Sequence, residues 1–226
     1  AAEAARFYQQ GLDIARQHFS DDPGIQLVAS ILMTELNYEL GAADAIPSLA
    51  RSIPQLLERH EAWFDIYAAG YTTAAHLEFD NHGVEGALAI VDGAVDYAER
   101  NRLLRLTKLL ASLRIELLLR AGRVAEARAA MQRSGVNIAE YRNAAEHQIA
   151  WRERDAAAAA VTRLLIAEGR YREALPLLSH FSLQVRDSGD IRARMRFHLL
   201  LAIAHDRDGN RGERGRQLDV DFAQFE

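Results

Sequence analysis

Three arginines precede three glycines of the chain by the same number of positions. The pairs are Arg105 with Gly122, Arg152 with Gly169, and Arg192 with Gly209. If these glycines mark equivalent turns of stacked repeats, equivalent positions lie side by side and the three arginines form a column. A row of guanidinium groups can hold a carboxylate or a phosphate through paired hydrogen bonds. The alternative is that these arginines are solvated and pair with nearby acids such as Glu153 and Asp155.

Two more arginines extend this candidate ligand site. Arg102 lies three residues before Arg105, and Arg196 lies four residues after Arg192. Side chains three or four residues apart share one face of a helix. We therefore expect both arginines to lie on the same face as the column.

A second candidate site consists of aromatic residues. Trp63, Tyr67 and Tyr71 step by four residues, so they share one helix face. If this face is exposed, the rings could stack on a ligand or anchor a peptide. The alternative is that they pack between helices.

The sequence contains none of the patterns that mark a catalytic, metal or cofactor site. Its eight histidines do not form a metal-binding spacing, and we expect them to be solvated or hydrogen-bonded. There is no G-x-S-x-G nucleophile motif and no phosphate-binding loop. The absence of cysteine excludes disulfides and thiolate metal sites. The sequence therefore predicts a binding protein that is not an enzyme and holds no metal or cofactor.

Glycines at regular spacing reveal the elements that would position these residues. We call them the turn glycines, and they are Gly41, Gly83, Gly122, Gly169 and Gly209. The segment from Gly122 to Ala127 shares a Gly-Arg-x-x-Glu-Ala pattern with the segment from Gly169 to Ala174. Glycine adopts the left-handed conformation that ends a helix, and an acid favours the start of the next helix. The pattern predicts a helix A, a tight turn and a helix B, repeated along the chain.

Apolar residues at helical spacing place these helices. Helices A are expected at 24–39, 62–80, 102–120, 151–168 and 190–206. Helices B are expected at 44–59, 85–100, 124–133, 171–187 and 211–224, after a first helix at 2–19. Asp22 and Pro23 should begin a helix, whereas Pro54 should kink one. The longer interval before Gly169 leaves a stretch, 135–148, that is either a longer loop or a short additional helix.

The predicted fold is all-α, a right-handed α-solenoid of about five tetratricopeptide-like repeats, with a period of about 40 residues. We expect a single domain over residues 1–226. The chain begins at Ala1 without Met, and helix 2–19 resembles the second helix of a truncated repeat, so we expect a fragment of a larger protein. An uncapped repeat exposes apolar surface, which would allow a homo-oligomer.

Charge and hydropathy limit the partners. The formal net charge is −5, which argues against binding nucleic acid over a broad face. No apolar run reaches the length of a membrane span. The lack of cysteine suits a reducing compartment, and we expect the cytoplasm.

Four segments in order carry a resemblance to a known family. They are Ile66–Gly70, Leu113–Met131, Trp151–Leu178 and Leu199–Asn210. The chain resembles the sensor region of the MalT-like proteins, large ATP-dependent transcriptional activators of the bacterial LuxR family. The resemblance implies a cytoplasmic sensing domain that binds an effector in its concave groove. It also implies that the effector signal reaches ATPase and DNA-binding modules that lie outside this sequence. The alternative is a protein-interaction scaffold whose groove binds a peptide or a partner protein.

Overall fold

The computed structural model describes residues 2–19, 23–42, 53–55, 57–58, 63–143, 151–186 and 190–209. Within these ranges the chain is helical, with short turns and no strand. The all-helical prediction is therefore confirmed. No helix in these ranges is both long enough and apolar enough to cross a lipid bilayer.

The helices agree closely with the predicted ranges. Their bounds are α1 Ala2–His18, α2 Pro23–Glu39, α3 Phe64–His82, α4 Val84–Arg100, α5 Leu104–Arg120, α6 Val124–Arg133, α7 Ile138–Asn143, α8 Trp151–Ala167, α9 Tyr171–Arg186 and α10 Ile191–Arg207. Pro23 is the first residue of α2, as predicted, and α7 is the short additional helix in the stretch 135–148. The predicted helix 211–224 lies outside the described residues. Most of the predicted helix 44–59 also does, since only the helical residues 53–55 and 57–58 are described there, and the kink at Pro54 stays a prediction.

The chain divides into two compact units, Ala1–Leu110 and Ala111–Glu226. In the first unit α1 packs on α2, α2 on α3, and α3 on α4. Gly70 of α3 lies where an added Cβ would be 2.7 Å from Leu57 Cδ1 and 3.0 Å from Ile53 Cγ2. Any side chain at position 70 would therefore force Leu57 and Ile53 to shift.

In the second unit α8 is the central helix. It packs against α6, α7, α9 and α10, and α9 also packs on α10. The core includes Phe181 and Phe197, whose stacked rings lie 5.8 Å apart between centroids. The side of α8 that faces this core carries the small, buried residues Ala157 and Ala158. Several helices can approach α8 closely because these side chains are small.

All five turn glycines have the predicted positive φ, between 67° and 84°, which Gly83 combines with an extended ψ of −170°. At Gly122 the amide donates to the Leu119 carbonyl, and the next amide, of Arg123, donates to the Leu118 carbonyl at 2.9 Å. These two bonds are the Schellman helix end. Glycine is preferred there because it has no Cβ to oppose a positive φ.

The repeated Gly-Arg-x-x-Glu-Ala pattern has a structural explanation. Each arginine that follows the glycine pairs side by side with the glutamate three residues on: Arg170 Nε and Nη2 each lie 2.7 Å from a Glu173 oxygen. Arg123 and Glu126 form the same two-bond pair. The alanine that ends the pattern is completely buried in both copies. The pattern therefore closes the turn on its outer side and packs the next helix on its inner side.

Candidate binding site

Equivalent positions of neighbouring A helices contact each other in both units. In the first unit Tyr38, three residues before Gly41, donates to Asp80 Oδ2 at 2.9 Å, and Asp80 lies three residues before Gly83. In the second unit Glu116 and Arg163 form an ion pair, and each lies six residues before its turn glycine. The glycine spacing is therefore a valid measure of side-by-side position between these helices.

The three column arginines all occupy the second residue of a helix. Arg105 is exposed in the first unit, and its guanidinium carbon lies 4.7 Å from the centroid of the Phe64 ring. In the second unit the Arg152 guanidinium carbon lies 4.6 Å from the centroid of the Trp151 ring. Two of the three arginines thus stack on aromatic rings, which fixes the plane of the guanidinium.

Arg192 is held by an acid instead of a ring. Its Nε lies 3.9 Å from Asp190 Oδ1, and its side chain is about half exposed. Asp190 also caps α10, because its side chain accepts from the amides of Arg192 at 3.0 Å and of Ala193 at 3.1 Å. The negative cap thus fixes both the helix start and the arginine beside it.

Each column arginine follows an exposed apolar residue, a feature that spacing alone did not reveal. We call these the apolar–Arg pairs, and they are Leu104–Arg105, Trp151–Arg152 and Ile191–Arg192. The first lies in the first unit and the other two lie in the second. In each pair the apolar residue begins its helix. The same register that revealed the arginines could have revealed these neighbours. Exposure, however, does not follow from spacing.

Arg102 does not extend the column along a helix. It lies in the turn after α4 with φ of 56°, and its amide donates to the Glu99 carbonyl at 3.1 Å. The Leu103 amide donates to the Ala98 carbonyl at 2.8 Å, which completes a Schellman end with arginine at the usual glycine position. The prediction that Arg102 shares a helix face with Arg105 is therefore wrong, because α5 begins only at Leu104.

The aromatic candidates separate in the structure. Tyr67 and Tyr71 are buried and stacked, with centroids 6.4 Å apart, and the Tyr67 hydroxyl lies 3.0 Å from the Tyr97 hydroxyl. Trp63 precedes α3 and is 79% exposed. A shared exposed face for the three residues is therefore wrong, since the two tyrosines pack in the core and only Trp63 faces solvent.

Arg196 lies near a buried carboxylate. Asp155 is almost completely buried on α8 and accepts from Arg154 Nε at 2.9 Å. Burial raises the pKa of Asp155, and the positive charge of Arg154 partly opposes this rise. The Asp190 carboxylate raises the pKa further, and Arg196 lowers it. The N-terminal parts of α8 and α10 therefore share one charged cluster in the second unit.

Two further buried polar groups belong to this region of the second unit. The Tyr141 hydroxyl of α7 donates to Glu153 Oε1 at 3.1 Å, and burial raises the pKa of Tyr141 with the carboxylate adding to it. Burial also lowers the pKa of His180, and the positive charges of Arg142 and Arg154 lower it further. A hydrogen bond with the backbone of Arg142 partly opposes this change. The His180 Nε2 is buried without a hydrogen-bond partner. His180 is hydrogen-bonded to the backbone of Arg142, so it agrees with the expectation that the histidines are solvated or hydrogen-bonded.

Within the described ranges, no group of three or more His, Asp and Glu side chains could hold a metal ion. No family model, curated protein or solved structure matches this chain. The candidate site therefore has to be interpreted from its own chemistry.

Proposed function

We propose that this chain is a repeat-built binding module whose apolar–Arg pairs recognise a ligand with an anionic group beside an apolar one. The observation that carries the proposal is the repetition of an exposed apolar residue and an arginine at the start of α5, α8 and α10. Exposed large apolar side chains in register offer contact area, and each arginine offers in-plane donors to a carboxylate or phosphate.

The finer fold that we propose is a solenoid of about five tetratricopeptide-like repeats in one domain. The in-register contacts Tyr38–Asp80 and Glu116–Arg163 support stacking of successive A helices. A second type of contact supports it in the second unit. Glu168 lies one residue before Gly169 and binds Arg128 of the preceding helix B at 2.6 Å.

A longer contact of the same kind occurs one repeat later. Asp208 lies one residue before Gly209, and its Oδ1 is 3.8 Å from Arg172 Nε. In each case an acid at the end of a helix A pairs with an arginine of the previous helix B. The acids share one register, whereas Arg128 lies six residues after Gly122 and Arg172 lies three residues after Gly169. What recurs is an ion pair between the end of one helix A and the previous helix B, as expected of stacked repeats.

The sensor region of a MalT-like activator is the biological setting that we propose. In that setting the module is cytoplasmic, binds an effector and passes the signal to ATPase and DNA-binding modules that are outside this sequence. The fragment itself would neither catalyse a reaction nor bind nucleic acid. Its support is the order of the resembling segments and the binding chemistry of the pairs.

A thermal-shift screen of anionic metabolites tests the proposal. A ligand that binds only the folded state raises the melting temperature, and the stabilisation grows with the logarithm of ligand concentration above its Kd. The expected result is one anionic compound that shifts the native chain and loses most of its shift in Arg152→Ala/Arg192→Ala. The matched control is Arg172→Ala, since Arg172 is exposed and has only a long ion pair. An effector that binds the double variant unchanged would overturn the arginine site.

A partner protein is the second candidate ligand. Trp63 and Leu104 are among the most exposed large apolar side chains of the first unit, and such residues often anchor protein contacts. A stoichiometric protein that survives extensive dialysis and is lost with Trp63→Ala/Leu104→Ala would favour this scaffold function. A shift produced only by small molecules would favour the sensor.

A further inference from the structure

One ring nitrogen of His180 on α9 is a buried acceptor. The backbone hydrogen bond with Arg142 raises the pKa of His180, so the ring is the donor in that bond. Because Nε2 is buried without a hydrogen-bond partner, the donor is Nδ1. A neutral imidazole that carries its proton on Nδ1 has a lone pair on Nε2. Buried polar atoms normally have a partner, so this lone pair calls for a donor.

A second buried acceptor lies one helical turn further along α9. Gln184 follows His180 by four residues, so both side chains share one face of the helix. The Oε1 atom of Gln184 is also buried without a hydrogen-bond partner. Both side chains are half-buried as a whole, whereas the neighbouring Phe181 is completely buried. The two acceptors therefore lie at the edge of the packed face, where a small ligand can reach them.

Two arginines from two other helices of the second unit face His180. Arg142 belongs to α7 and Arg154 belongs to α8. Burial is the largest cause of the lowered pKa of His180, and the positive charges of both arginines lower it further. A protonated ring beside these charges is disfavoured. At neutral pH the imidazole is therefore uncharged, and Nε2 remains an acceptor.

The same two arginines supply donors to the site. Arg142 is exposed at the end of α7. Arg154 is only 11% exposed, and its Nε donates to Asp155 Oδ1 at 2.9 Å. That bond uses Nε, so the two terminal nitrogens of the guanidinium lie outside it. Two guanidinium groups beside a neutral acceptor suit an anion that also carries a proton to donate.

We propose that Arg142, Arg154 and His180 bind inorganic phosphate, with Nε2 of His180 accepting from the phosphate hydroxyl and the arginines donating to its anionic oxygens. Inorganic phosphate still carries a proton at about pH 7.5, whereas a phosphate monoester loses its last ionisable proton near about pH 6. Sulfate and carboxylates carry no proton at neutral pH. The neutral histidine therefore selects inorganic phosphate among these anions.

The phosphate site is separate from the apolar–Arg pairs. It uses α7 and α9, which contain none of those pairs, and Arg154 of α8 in place of Arg152. The variant Arg152→Ala/Arg192→Ala should therefore bind inorganic phosphate like the native chain. Failure of either proposal leaves the other unaffected.

Calorimetry with inorganic phosphate on the full chain at about pH 7.5 tests the proposal. The variants are Arg142→Ala, His180→Asn and His180→Gln, and the control is the exposed Arg172→Ala on α9. The side chain in His180→Asn keeps a polar atom near the position of Nδ1 but has none at Nε2. The longer side chain in His180→Gln reaches the position of Nε2. Melting temperatures show that each variant is folded.

The expected result is phosphate binding that weakens about tenfold in Arg142→Ala, since one charged hydrogen bond is lost, and is unchanged in Arg172→Ala. His180→Asn should weaken it similarly, and His180→Gln should restore part of it. Sulfate and methyl phosphate should bind at least tenfold more weakly than phosphate at about pH 7.5. Sulfate should gain affinity at about pH 5.5, where a protonated His180 donates from Nε2.

Three results would overturn the proposal. One is the absence of phosphate binding to the native chain. Another is equal phosphate affinity for the native chain and Arg142→Ala, which is exposed and therefore safe to replace without loss of the fold. The third is equal affinity for phosphate and sulfate at about pH 7.5, because the phosphate hydroxyl would then make no contact with His180.

Discussion

Glu168 joins helix α6 to the turn after α8 through a single carboxylate. Its side chain is only 3% exposed, and it accepts from Arg128 Nε at 2.6 Å and from Arg170 Nη1 at 2.9 Å. Arg170 in turn holds the exposed Glu173. If Glu168 connects successive repeats, Glu168→Gln should destabilise the chain far more than the matched change Glu173→Gln.

The magnitude follows from what each partner loses. A hydrogen bond to a charged group contributes about 1.5–3 kcal/mol, but both arginines are about half exposed and regain water when the carboxylate is removed. We therefore expect Glu168→Gln to lower the free energy of unfolding by about 2 kcal/mol. For a chain of this size, that corresponds to a loss of roughly 4–8 °C in melting temperature.

The effect should depend on pH in a defined direction. Burial raises the pKa of Glu168, but hydrogen bonds from Arg128 and Arg170 outweigh it, so the pKa lies below its usual value of 4.5. A lowered pKa in the folded state gives stability that is present above about pH 4.5 and is lost as the pH falls through the folded value. The difference between native chain and variant should therefore be largest at pH 7 and shrink below about pH 4.5.

Urea unfolding followed by circular dichroism at pH 7 and pH 3.5 measures both effects. Glu168 and Glu173 both pair with Arg170, but only Glu168 is buried. Glu173→Gln therefore controls for the loss of a negative charge at the turn. Two results would refute the reasoning. One is an unchanged midpoint for Glu168→Gln at pH 7, and the other is an equal loss for both variants.

Four further substitutions test other features by urea unfolding. Tyr71→Phe should be neutral or stabilising by up to about 1 kcal/mol, because the Tyr71 hydroxyl is buried without a hydrogen-bond partner. Tyr67→Phe should cost about 1 kcal/mol, because it breaks the hydrogen bond with Tyr97. A larger loss of stability for Tyr71→Phe than for Tyr67→Phe would contradict this. Arg102→Gly should stabilise by about 0.5–1 kcal/mol, because glycine removes the cost of a positive φ but gains freedom when unfolded; a loss would mean that the Arg102 side chain contributes more than its backbone strain costs. Asp155→Asn should be at least as stable as the native chain at pH 7, because burial raises the pKa of Asp155 and so disfavours its charged form. The stability linked to protonation of Asp155 is present below about pH 3.8 and is lost as the pH rises through the folded pKa. A large loss at pH 7 that disappears in acid would show that the ion pairs of Asp155 dominate its burial.

The sequence predicts most of the helix boundaries because their signals are local. A turn glycine, the arginine and glutamate that follow it, and Pro23 each act within a few residues, and all have the expected conformation or contact. Arg102 is the exception that the signal misses. Its turn has the same hydrogen bonds but no glycine. The sequence predicts the helix end at residue 100 but places the start of the next helix at 102 and not at Leu104.

The site was harder to predict because spacing gives a helix face but does not say what that face meets. Tyr67 and Tyr71 share a face, and that face is turned toward the core. The sequence offers Asp155 as a solvated partner for arginine, yet it is buried beside Arg154. Burial depends on neighbouring helices, and no local pattern encodes it.

The most direct test of the central claim is the binding isotherm of the best anionic compound from the thermal-shift screen, measured by calorimetry on three proteins. These are the native chain, Arg152→Ala/Arg192→Ala, and the control Arg172→Ala. Two charged contacts of about 1.5 kcal/mol each predict roughly a hundredfold weaker affinity for the double variant and an unchanged affinity for the control. Equal affinities for all three proteins would contradict the claim that the apolar–Arg pairs are a binding site.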